Sequence, residues 1–249
     1  MKIIFVGVGD AFDENYPNNS HLLIAEHSNI LFDCGYSVPR QWWRMGYDRD
    51  FLDAIYISHR HADHFFGLPI MLMRMWEDGR TKPITIISQK KMVGLLESLT
   101  DVAYKGFLKN FKFKIKFIGV KPGKSLIFNE LSLSFAPTIH SIDNLAVRVT
   151  DGKASYCYSG DGQFIKQTEE LYKSSDLLIQ ETYLYDEKKS GHACITDTLE
   201  MAERLNIKTL ALTHLNRYFR KNQLPGLKEK IVSQKVKILI PEPSDEFEL

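Results

Sequence analysis

The stretch "SHRHADH" (58–64) puts three histidines and one aspartate into seven positions, directly after the apolar run "LDAIYI" (52–57). No other stretch constrains the fold as much. Four cation-binding groups this close serve no packing purpose, and neighbouring imidazoles repel one another once protonated. A tight loop after a strand can aim positions 59, 61, 63 and 64 inward together. Neutral imidazole and carboxylate are the ligands that Zn(II) and similar divalent ions prefer. A chain built around this loop has to hold it at the end of a strand and bring further ligands to it.

Those further ligands are legible as strand ends. Of the eight histidines, His59, His61, His64, His140, His192 and His214 lie at predicted strand ends or in loops beside other ligand-type residues. His21 and His27 sit in an ordinary predicted hairpin. Polar groups gathered where strands end are what a site on a rigid scaffold looks like. His140 closes "LSLSFAPTIH" (131–140), Asp161 follows "ASYCYSG", and His214 ends "IKTLALTH". Asp161 stands at a turn, from which its carboxylate could bridge two ions. His192 alone reads equally well as a satisfied core or surface residue.

Hydrophobic periodicity predicts strands at 2–7, 21–27, 29–35, 52–59, 84–89, 110–120, 131–140, 144–150, 154–161, 176–182, 207–215 and 236–242, the last being the final one. Helices are expected near 39–47, 67–80, 90–104, 168–175 and 196–206, the final one capped by a Thr. Strands interleaved with helices, without a linker or low-complexity segment, read as one α/β domain over residues 1–249, built of stacked layers.

Composition excludes several classes. A net charge of +1 gives no global pull toward nucleic acid or anionic membrane. Three scattered cysteines suit a reducing cytoplasm rather than a disulfide scaffold. The opening "MKIIFVGVGD" is too short for a signal peptide, and no apolar run approaches the ~20 residues that span a bilayer.

The pattern H-x-H-x-D-H after an apolar strand resembles the signature of the metallo-β-lactamase superfamily. The order Asp33, His59/His61/Asp63/His64, His140, Asp161 and His214 resembles that family's motifs along nearly the whole chain. The implied fold is a four-layer αβ/βα sandwich with two metals at the sheet edges. "FVGVGDAF…NNSHLLI", "YSGDGQF…LYKSSDLLIQETYL" and "GHACITDTLEMAERLNIKTLALTHLNRY" are similar to segments of its ribonuclease Z-like branch. Bacterial members of that branch usually carry a long Gly/Pro-rich arm between the third metal histidine and the Gly-Asp segment, which grips transfer RNA. Here "PTIHSIDNLAVRV" runs on with no such arm.

The resemblance implies a metal-dependent hydrolase acting through a metal-bridging hydroxide, a phosphodiesterase or endoribonuclease-like enzyme. His59, His61 and His140 would bind one divalent ion, and Asp63, His64 and His214 the other, with Asp161 bridging. Zn is expected, and Mn or Fe accepts the same set. Asp63 would also orient or deprotonate the water. His192, oriented by Glu181, is the expected proton donor. Arg217 and Tyr218 could hold a phosphate oxygen or simply meet solvent. Asp33 would support the metal loop from behind. The expected substrate is a small phosphodiester or an RNA, and a homodimer is common among such proteins; no membrane or protein partner is expected. Hydrolysis of a lactone, carboxylic ester or sulfate ester, or a non-catalytic or biosynthetic binding role, are the alternatives.

Two remaining signals are weighed against function. "FKFKIKF" (111–117) reads as the solvent face of an amphipathic edge strand, though its basic, aromatic-interleaved character also suits nucleic acid. "GVGDAF" lacks the third Gly of a dinucleotide fingerprint.

Overall fold

The computed structural model describes residues 1–249. The first half supplies β1 (Lys2–Gly7), β2 (Ser20–Ala25), β3 (Ser28–Phe32), β4 (Ala54–Ile57), β5 (Ile84–Gln89) and β6 (Ile115–Val120). Between them lie α1 (Val38–Arg44), α2 (Ala62–Phe65), α3 (Leu68–Glu77) and α4 (Val93–Ala103). The second half supplies β7 (Ser125–Phe128), β8 (Leu131–Pro137), β9 (Leu145–Thr150), β10 (Ser155–Tyr158), β11 (Leu177–Glu181), β12 (Thr209–Thr213), β13 (Lys237–Leu239) and β14 (Glu246–Glu248). Its helices are α5 (Lys166–Tyr172), α6 (Ile195–Arg204), α7 (Arg217–Asn222) and α8 (Leu224–Leu227).

Two seven-stranded sheets form, in the orders β14-β1-β2-β3-β4-β5-β6 and β13-β12-β11-β10-β9-β8-β7. Each is antiparallel over four strands and parallel over the rest: β3 to β6 run parallel in one, β10 to β13 in the other. The strand alternation builds the layers, because successive side chains leave a strand on opposite faces. Ile3 and Phe5 of β1, Ile30 and Phe32 of β3, and Ala54 and Tyr56 of β4 enter a core between the sheets. Ile4, Val6, Leu31, Ile55 and Ile57 face outward to α1 and α3. In the second sheet, Leu177 and Ile179 face inward while Leu178, Leu210 and Leu212 meet α6 and α7. The result is the four-layer αβ/βα sandwich.

Several expected boundaries move. The 110–120 strand starts only at Ile115, because Leu108–Asn110 forms a 3-10 turn. Helix α6 is capped by Cys194, not by a Thr, so Thr196 lies inside it. The 236–242 strand is not the last: β14 returns to pair antiparallel with β1. No helix is long and apolar enough to cross a membrane.

Candidate active site

The parallel strands aim their carboxyl ends at one rim, the place where open α/β sheets present ligand-binding groups. Asp33 follows β3, His59 follows β4, Asp161 follows β10, Glu181 ends β11 and His214 follows β12. Ser58–His64 turns tightly after β4, with His61 leading into α2 and His64 N donating to His61 O. The loop lies backbone-on-backbone against Cys34–Gly35, where a Cβ on Gly35 would collide with the Asp63 carbonyl. Two residues at the rim hold left-handed backbone, Asp33 at φ 59° and His214 at φ 56°. Such strain in non-glycine residues concentrates at functional sites.

The structure brings the candidate ligands into two groups that share one carboxylate. His59, His61, His140 and Asp161 form one, and Asp63, His64, Asp161 and His214 the other; within each, the ligand atoms lie within 4.8 Å of one another. Hydrogen bonds to the outer nitrogens fix the tautomers. His59 Nδ1 faces Ser58 Oγ at 3.0 Å, and that hydroxyl in turn donates to Asp33. His140 Nδ1 donates to the Gly191 carbonyl at 2.7 Å. The inner nitrogens are therefore lone-pair atoms: His59 Nε2 lies 3.1 Å and His140 Nε2 3.0 Å from His61 Nδ1. Three converging lone pairs repel unless a proton or a cation lies among them.

The second group shows the same shortage of positive charge. His64 Nε2 makes no hydrogen bond, although Asp63 Oδ2 is 3.1 Å and Asp161 Oδ2 3.4 Å away. Asp161 Oδ1 is likewise buried without a partner. Burial alone would lower the His64 and His214 pKa values, but the facing carboxylates of Asp161 and Asp63 outweigh it; His64 rises well above its usual value and His214 to about 9. Burial would raise Asp161, yet His214 and His64 hold it well below the carboxylate range. Burial and the neighbouring imidazoles keep His59 and His61 low, hence neutral. Neutral imidazoles fit a divalent cation in the first group; in the second, the facing carboxylates hold protons on His64 and His214 that a cation would displace on binding.

Beside the clusters, His192 Nδ1 donates to Glu181 Oε1 at 2.6 Å, and Ala193 N donates to Oε2. Glu181 is fully buried, while His192 keeps an exposed edge in the pocket. The His192 ring stacks on Tyr183, centroids 4.7 Å apart. Arg217 lines the same pocket, its backbone and guanidinium donating to Asp10 Oδ2. Tyr218 does not reach the pocket. It and Arg217 are consecutive in the first turn of α7, about 100° apart around the axis, so Tyr218 faces solvent under the Arg217 guanidinium.

The cavity over the clusters has a volume of about 340 Å³. Phe12, Tyr36 and Tyr183 in its wall were not foreseen, since lone aromatics carry no local signal. Asp10 sat within the discounted "GVGDAF". Asn144 was also missed: it accepts from Asp161 N and donates to Ser159 O and Thr138 Oγ1, clamping the Gly-Asp turn.

Comparison with known proteins agrees with this geometry. The family model described as "Anti-Pycsar protein Apyc1" matches residues 1–237. The Apyc1 protein of Paenibacillus harenae is 30% identical over 219 residues, covering 84% of this chain and 88% of its own. The chain belongs to the Apyc1 family. A ribonuclease Z of Methanococcus aeolicus is 26% identical over 280 residues, covering 89% of this chain and 86% of its own. The metallo-β-lactamase fold protein YhfI of Bacillus subtilis superposes with a TM-score of 0.79 at 23% identity, over 99% of this chain and 98% of its own. This Apyc1-family chain is thus a ribonuclease Z-like, metal-dependent hydrolase of the metallo-β-lactamase fold.

Proposed function

We propose that the protein hydrolyses phosphodiesters with two divalent ions. His59, His61 and His140 would hold one ion, Asp63, His64 and His214 the other, and Asp161 both. Zn is the first expectation from the His/Asp set, with Mn or Fe also compatible. When bound, such ions acidify a water and neutralise the charge that builds on phosphoryl oxygens.

The observation that carries the reading is the His192–Glu181 pair on the pocket wall. An alkoxide leaving from phosphorus needs a proton, whereas the phenolate leaving from an aryl sulfate needs one less. Glu181 keeps the Nδ1 proton of His192 engaged, so Nε2 is the nitrogen that hands a proton to the leaving oxygen. Asp63 Oδ2 orients the attacking water and accepts its proton. Arg217, held by Asp10, donates to a phosphoryl oxygen. The His140–Asp161 interval is occupied by β9, β10 and a tight turn at Asp151–Ala154. A gripping arm has no place there, which favours a small phosphodiester, or an RNA held by other contacts.

The test is a panel on the metal-loaded protein: bis(p-nitrophenyl) phosphate, 2′,3′-cyclic nucleotides, a precursor transfer RNA, a lactone and an aryl sulfate. Diester hydrolysis should dominate. Faster turnover of the lactone or the aryl sulfate sinks the reading, as does a His64→Ala protein that retains its metal and full rate.

A further inference from the structure

The cations of this chain are unevenly placed. Residues 102–129 contain seven lysines and no Asp or Glu, against a net charge of only +1 for the whole chain. The end of this basic segment nearest the site lines a cavity of about 320 Å³ through Lys121, together with Lys90 and Lys91 just after β5. A second cavity, of about 460 Å³, adjoins it through Lys91 and Asp143, and is lined on its other side by Arg60 and Ser141. Ser141 also lines the reaction pocket. The three cavities therefore follow one another from the paired metal groups to the exposed end of β6.

The wall between them is fixed. Gln89 Nε2 donates to Ser58 O at 2.8 Å and to Asp143 O at 2.7 Å, tying the 141–144 loop to the strand that carries His59. Within the trough, Asp143 is the one carboxylate, and Lys91 already pairs with it. Arg60, Lys90 and Lys121 are exposed and left to face an outside ligand. Met92 and the half-exposed Leu95 and Ile142 give the middle cavity an apolar side. Spaced cations beside apolar surface match a chain of phosphates carrying flat bases.

We infer that this trough binds a single-stranded polynucleotide running out from the reaction pocket, with Arg60, Lys90 and Lys121 contacting its backbone phosphates. The inference rests on the phosphodiester reading of the pocket and extends it from one scissile bond to a trailing strand. It also gives the armless chain a different handle on RNA.

The test uses the metal-loaded full chain and a fluorescein-labelled 2′-O-methyl oligoribonucleotide, which binds without being cleaved. Lys90→Glu/Lys121→Glu should weaken binding at least tenfold at low salt and flatten the slope of log affinity against log salt by about 1.4, about 0.7 per lost phosphate contact. Its hydrolysis of bis(p-nitrophenyl) phosphate should stay within twofold of wild type. Lys153→Glu/Lys228→Glu, an equal charge change on exposed residues outside the trough, should bind as wild type does. Unchanged binding by the first variant, or equal weakening by both, overturns the inference, as does polyglutamate competing as well as an unlabelled oligonucleotide. Absence of diester hydrolysis in the wild type would instead overturn the reading of the pocket, since the binding readout does not depend on turnover.

Discussion

Asp33 Oδ2 lies 2.7 Å from His64 Nδ1, and the same oxygen accepts hydrogen bonds from Ser58 Oγ and Tyr158 Oη. Its other oxygen accepts from Ser58 N. One buried carboxylate thus orients an imidazole of one metal group directly and, through Ser58, an imidazole of the other. Asp33→Ala should weaken metal binding about 10- to 100-fold, the usual effect of losing a partner behind a ligand. It should also cost about 3 kcal/mol or more of stability, because four donors lose a buried charge. Metal content after dialysis, together with urea unfolding, checks both.

His192→Ala should keep its metal content and lose about 100-fold or more in kcat on a diester with an alkyl leaving group. The loss on bis(p-nitrophenyl) phosphate should be much smaller, since p-nitrophenolate leaves without a proton. Equal losses on both substrates would remove the proton-donor role. Loss of metal would place His192 among the ligands.

Asp161 belongs to both groups, whereas His214 belongs to only one of them. Asp161→Ala should therefore release both ions and His214→Ala about one, as read by elemental analysis. Chelation of the wild type should lower Tm by about 20 °C: each ion held at a thousandfold above its Kd contributes about 4 kcal/mol, so two contribute about 8, and about 2–4 °C follows from each kcal/mol at this chain length.

Gly160 adopts φ +60°, and a Cβ there would collide with the Asn144 side chain. Gly160→Ala must displace the residue that clamps the Asp161 turn. Expected are about 2–4 kcal/mol of destabilisation, from strain plus broken hydrogen bonds, and a reduced metal content. Asn144→Ala should reproduce the metal loss, with calorimetry separating the two costs.

His21 lies fully buried between the sheets, stacked on Phe32 at 4.8 Å, with both ring nitrogens unpartnered. Burial lowers its pKa from 6.5 to about 3. Between those values the unfolded chain takes up a proton that the folded chain refuses, so stability falls as pH falls, by about 1.4 kcal/mol per unit. Above pH 6.5 both states are neutral and the effect vanishes. His21→Phe should become progressively more stable than wild type from pH 6.5 toward pH 4, by roughly 3 kcal/mol at the lower end. A stability difference independent of pH would contradict this.

Where the sequence was informative, the reason was local. Strands such as "KIIFVG" and "DLLIQET" show as short apolar runs, buried on both faces, and the crowding of "SHRHADH" has no use in packing. What escaped was set by distant partners. Tyr218 was paired with Arg217 by adjacency in sequence, but it stacks under the Arg217 guanidinium on the solvent side while Arg217 lines the pocket. Asn144 and Asp10 act on residues 17 and 207 positions away, through hydrogen bonds that nothing in their neighbourhood announces. Strand β14 is three residues long, and only its pairing with β1 makes it a strand.

The site is split along the chain as well as across the sandwich. His59, His61, Asp63 and His64 come from the first sheet, and His140, Asp161 and His214 from the second. Neither half of the polypeptide carries a complete set, so a nascent chain cannot complete the first group before Asp161 or the second before His214. A metal ion would then act as a clasp fastened last. Separately produced fragments divided near residue 121 should each bind metal poorly, and should be drawn together by it when mixed.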